Sequence, residues 1–87
     1  MYTNIGIEMT DLSNTVIQIC AKCSKTEAKE TLANIIADIV NLAERMEGHV
    51  IQEERLYAKI VPVVAYATFE FKSKEKLNDF KLAVMMG

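Results

Sequence analysis

The sequence predicts an α+β fold, a small antiparallel sheet with two helices on one face. Three stretches carry that expectation: a capped amphipathic run from Ser24 to Gly48, a β-branched and aromatic run from Val63 to Phe71, and a second amphipathic run after Ser73. Extended segments before and between them give the order ββαββα or βαββα. The result would be a split β-α-β sheet of ferredoxin-like layout. With 87 residues there is room for one core, so residues 1–87 are expected to form a single domain. A chain of this size buries only about 60% of its unfolded surface, which makes cover from a second copy a reasonable expectation.

Taken in order, Tyr2 to Met9 is a candidate first strand and Thr10-Asp11-Leu12-Ser13-Asn14 a connecting turn. Thr15 to Cys23 follows as a strand through Val16, Ile17 and Ile19. A competing pattern overlies both. Ile5, Met9, Leu12, Val16, Ile19 and Cys23 fall at alternating spacings of four and three, which suits an αα-hairpin and a mostly α fold. Thr10, Asn14, Thr15, Val16 and Ile17 are mediocre helix formers, which favours the strands.

Ser24 and Glu27 form an S-x-x-E capping box at the start of the long helix. Ala28, Leu32, Ile35, Ile39, Leu42 and Met46 line one face, and Ala33, Ile36, Ala37, Val40 and Ala43 add a second stripe. Gly48 is expected to end the helix in the left-handed conformation. A helix resting on one sheet needs only a stripe of about 100°. The second side must therefore be covered by the rest of the chain or by another subunit. Ala33, Ile36, Ala37 and Val40, with Tyr66 on the sheet, are the candidate interface residues.

Beyond Gly48, the stretch from His49 to Lys59 is expected as a strand leading through Ile60 and Val61 to Pro62, with helix over Glu53 to Ile60 as the alternative. In the run from Val63 to Phe71, alternation puts Val63, Ala65, Ala67, Phe69 and Phe71 on the core face and Val64, Tyr66, Thr68 and Glu70 on the other. Ser73 can cap a last helix in which Leu77, Phe80 and Val84 face inward.

Composition narrows the function. The chain is 51% hydrophobic and 25% charged, with net charge −2 and a pI near 5.3, so it lacks the basic excess of a general nucleic-acid binder. No apolar run approaches the ~20 residues needed to span a bilayer, and the first residues carry no basic leader. Two cysteines are too few for a disulfide scaffold. These features together lead to the expectation of a cytoplasmic protein without membrane association.

The one recognisable chemical motif is Cys20-Ala-Lys-Cys23, placed directly before the long helix. A helix N-terminus and the nearby Lys22 and Lys25 would favour a thiolate there. With Val61-Pro62-Val63 entering a strand and Ser73 to Phe80 as a terminal helix, this arrangement resembles the thioredoxin and glutaredoxin family. That resemblance implies a thiol oxidoreductase with Cys20 as nucleophile and Cys23 as resolving thiol. The residues also admit a plainer reading: cysteines three apart in a strand point to opposite faces and serve as small buried hydrophobes.

Cys20, Cys23 and His49 are one ligand short of a structural zinc site, and no glycine-rich phosphate motif is present. An RNA-recognition sheet would need a base at Val64, a glycine at Ala65 and a stacking aromatic at Thr68. No cofactor is therefore expected. The leading expectation is a small non-enzymatic protein-interaction or regulatory module, a homodimer with a protein partner, such as a phage or mobile-element accessory protein that inhibits a host factor. The oxidoreductase is the alternative.

Overall fold

The computed structural model describes residues 5–23, 29–54 and 63–86. Its elements are β1 (Ile5–Asp11), β2 (Val16–Cys23), α1 (Lys29–Arg45), β3 (His49–Glu54), β4 (Val63–Glu70) and α2 (Lys74–Met86). The α+β class and the ββαββα order are as expected. The four strands form one antiparallel sheet in the order β1-β2-β4-β3. Since β2 and β3 each run antiparallel to β4, they are parallel to each other with β4 between them, which is a split β-α-β unit joined by α1.

The helical alternative for residues 5–23 gives way to a hairpin. Ile5 pairs with Cys23, Ile7 with Ala21 and Met9 with Ile19. The 4-3 spacing of the apolar residues arises because strand alternation and helical periodicity coincide at several of the same positions. The tertiary pairing of β2 with β4, Ile17 opposite Phe69 and Ile19 opposite Ala67, decides between them. The first strand reaches Asp11 and the reversal occupies Leu12 to Thr15, a little later than the expected turn. There the Leu12 and Ser13 amides donate to the Val16 carbonyl, and the Thr15 amide donates to Ser13 Oγ at 3.2 Å.

One face of the sheet holds the core. Ile17, Ile19, Ala21 and Cys23 of β2 and Ala65, Ala67 and Phe69 of β4 are buried there, together with Leu32, Ile36, Ile39, Val40 and Ala43 of α1 and Leu77 and Phe80 of α2. Phe80 lies edge-on to Phe69 at 5.3 Å and against Phe71 at 4.9 Å, so α2 packs on the same sheet face as α1. The small residues Ala21, Ala65 and Ala67 let the helices approach the sheet closely, and the large aromatics fill the far end.

The end of α1 differs from the expectation in one residue. Glu47, not Gly48, takes the left-handed conformation, with φ 67°. The Glu47 amide donates to the Glu44 carbonyl and the Gly48 amide to the Ala43 carbonyl at 2.8 Å, which is a Schellman closure with Glu47 at the left-handed position. Gly48 is needed for a different reason: a Cβ there would stand 2.6 Å from the Phe71 ring and 3.0 Å from the Ala43 carbonyl oxygen. The cap expected for α2 is present, the Lys76 amide donating to Ser73 Oγ at 3.2 Å. The Ser24–Glu27 capping box, Ala28, the stretch from Arg55 to Pro62 and Tyr2 lie outside the described residues.

Candidate functional site

The side chains singled out from the sequence fall on two opposite faces of the sheet. Cys20 is half-buried on the open face, where its neighbours in register are Glu8 of β1 and Tyr66 of β4. Cys23, three residues on, is buried in the core. The strand pleat thus directs the two thiols to opposite sides, and the pair cannot close a disulfide without breaking β2. Burial, and secondarily the Glu8 carboxylate, push the Cys20 thiol above its ordinary pKa, with Lys22 opposing. Lys22 is committed elsewhere, in an ion pair with Glu8 across the hairpin. This is the reverse of the electropositive surroundings that activate a thiol. His49 begins β3 at the surface, and among the described residues no three His, Cys, Asp or Glu side chains are grouped to hold a metal.

The five candidate interface residues do not make one surface. Ile36 and Val40 are buried against the sheet, Ala33 and Ala37 flank them half-exposed, and Tyr66 lies on the open face behind. There Tyr66 Oη accepts a hydrogen bond from Gln52 Nε2 at 3.3 Å. The inward line of α1 runs between the two stripes read from the sequence, taking Leu32, Ile36, Ile39, Val40 and Ala43. That choice leaves Ile35, Leu42 and Met46 on one flank, only partly buried.

On this flank lies a groove of about 590 Å³. Its walls are Ile35, Ile39 and Leu42 of α1, Ile5 and Ile7 of β1, and Ala83 and Val84 of α2, with Asp38 and Arg45 as the two charged side chains on the α1 side. Its opposite charges balance and its lining is otherwise aliphatic. Ile7 stays 47% exposed here although it points to the helix-covered side of the sheet. Sequence reasoning identified the width of the apolar surface on α1 but not which flank would stay open, because that depends on where α2 crosses. Leu77 and Phe80 dock α2 in the core, Lys81 pairs with Asp11 of β1 at 3.0 Å, and Lys76 pairs with Glu47 at the end of α1.

A smaller polar cleft of about 250 Å³ lies between the β1–β2 turn and the start of α2, lined by Asp11, Ser13, Asn14, Lys74 and Asn78 among others. No helix among the described residues is long and apolar enough to cross a membrane. The chain matches no family model, and no curated protein or solved structure matches it.

Proposed function

We propose that this chain is a non-enzymatic protein-interaction or regulatory module that binds through the groove between α1, α2 and β1. The observation supporting this reading is the groove itself: aliphatic side chains from three elements converge on an open concavity with one acid and one base on its α1 wall. Apolar ligand surfaces of this kind gain affinity from burial, about 25 cal/mol per Å² before the costs of association, while the flanking charges orient the partner. Regulation then works by occupancy, in a homodimer, with a separate protein target, or both; inhibition of a host factor is one such use.

The oxidoreductase alternative would require Cys20 and Cys23 to meet, which the β2 pleat opposes. The two readings are separated by affinity capture on the immobilised protein with three variants. Leu42→Glu places a charge in the groove and is expected to abolish capture, while Cys20→Ser and Cys23→Ser leave it intact. Capture that survives Leu42→Glu but is lost with either serine variant would overturn the groove reading and restore the thiol one.

A further inference from the structure

The two edges of the sheet are built differently. β3 carries a register shift between Val50 and Gln52 that throws Ile51 out of the ladder, a device that discourages strand addition. β1 is seven residues long, contains no proline, lysine or bulge, and is the other edge among the described residues. Its two acids are already neutralised within the chain, Glu8 by Lys22 and Asp11 by Lys81. The charges that would ordinarily guard such an edge are therefore weakened. Beside this edge, on the helix side, lies the half-open groove with Ile7 exposed.

We propose that the occupant of this edge is β1 of a second copy, paired antiparallel about a two-fold axis to make one eight-stranded sheet with all four helices on one side. An unpaired strand edge offers N–H and C=O groups that only another strand satisfies in series, and a two-fold contact requires the edge to match itself. Among the registers that pair five or more of its seven residues, the sequence of β1 does so in one. Keeping the helices on one side requires the axis to pass through a residue. An axis at Glu8 sets Ile5 against Asp11, and one at Met9 sets Ile7 against Asp11. An axis at Ile7 pairs Ile7 with Ile7 and Ile5 with Met9 on the helix side, and Gly6 with Glu8 on the open side. Apolar meets apolar and no like charges face each other. The grooves of the two copies then adjoin along the new seam, so each covers the exposed Ile7 of the other. This inference rests on the interaction reading above and specifies its homodimeric form.

Sedimentation equilibrium over a concentration series tests it, with Ile7→Lys at the β1 edge and Ile51→Lys at the β3 edge as a matched pair of exposed positions. Wild type and Ile51→Lys are expected to reach dimer mass, and Ile7→Lys, still folded by circular dichroism, to weaken the association at least about tenfold. If Ile7→Lys does not fold, Ile7→Cys in a Cys20→Ser background decides instead. Facing residues at the axis lie within disulfide reach, so mild oxidation should give a covalent dimer. Dimer mass unchanged in a folded Ile7→Lys protein overturns the edge while leaving a dimer in place. A monomer at all concentrations overturns the homodimer itself, and retention of the groove-dependent capture described above would then leave the interaction reading standing with a different partner.

Discussion

Gly48 shows how much a single position can be asked to do. A stop after Met46 and Glu47 was legible in the sequence as a glycine at the end of an apolar periodicity. Its reason was not, because the left-handed turn fell on Glu47 and the glycine instead makes room for the Phe71 ring, a contact across 23 residues that no local pattern carries. Gly48→Ala is accordingly expected to destabilise by about 1–3 kcal/mol, since both the Phe71 ring, wedged against Phe80, and the Ala43 carbonyl must give way. Chemical denaturation with a midpoint shift at constant slope checks it. Ser73→Ala, which removes the hydroxyl capping α2, should cost about 1 kcal/mol by the same measurement. For the cysteines, the raised pKa of Cys20 means that little thiolate forms near neutrality, and Cys23 is enclosed by the core. Alkylation of Cys20 should run slower than that of a model thiol at pH 8 and accelerate only at higher pH, with Cys23 reacting on unfolding. Fast labelling of Cys20 at neutral pH would contradict this placement.

At the level of elements, α1, β4 and α2 were legible because each has one dominant period: helical spacing in the first and last, alternation with β-branched and aromatic residues in the middle. Residues 5–23 were not decided by pattern, since Ile5, Met9, Ile19 and Cys23 satisfy a helix as well as a hairpin. What selects the hairpin is the pairing of β2 with β4, a long-range term absent from any window of sequence. The two helices are tied to their neighbours by exposed ion pairs, and one gives a pH-dependent signature. The hydrogen bond and charge of Lys76 hold the Glu47 carboxyl below its usual value. A carboxylate with a folded pKa below its unfolded one contributes stability that is present above the unfolded pKa and lost as pH falls through the folded one. Lys76→Ala should therefore lower the thermal midpoint slightly at pH 7, with the difference from wild type fading on acidification below the ordinary carboxylate range. A difference that persists or grows in acid would assign the effect of Lys76 to packing of its stem instead.

Across the whole molecule, the width of the apolar face on α1 was legible in the sequence, and the expected interface fell on Ala33, Ile36, Ala37 and Val40 with Tyr66; the fold buries Ile36 and Val40 and sets Tyr66 on the opposite side of the sheet. The open flank lies on the other side of the helix, toward Ile35 and Leu42, because the path of α2 across the sheet leaves it so. Among the described residues the β1 edge and this groove adjoin, so the proposed dimer forms through β1. Amide hydrogen exchange along a dilution series addresses it residue by residue, because edge amides exchange freely in a monomer and are protected when another strand pairs with them. In the proposed dimer, amides within Ile5–Asp11 are expected to lose protection on dilution while those of the bulged edge at His49–Glu54 do not change. Protection in β1 that is independent of concentration, or a concentration-dependent change confined to β3 or the open face around Tyr66, would contradict it.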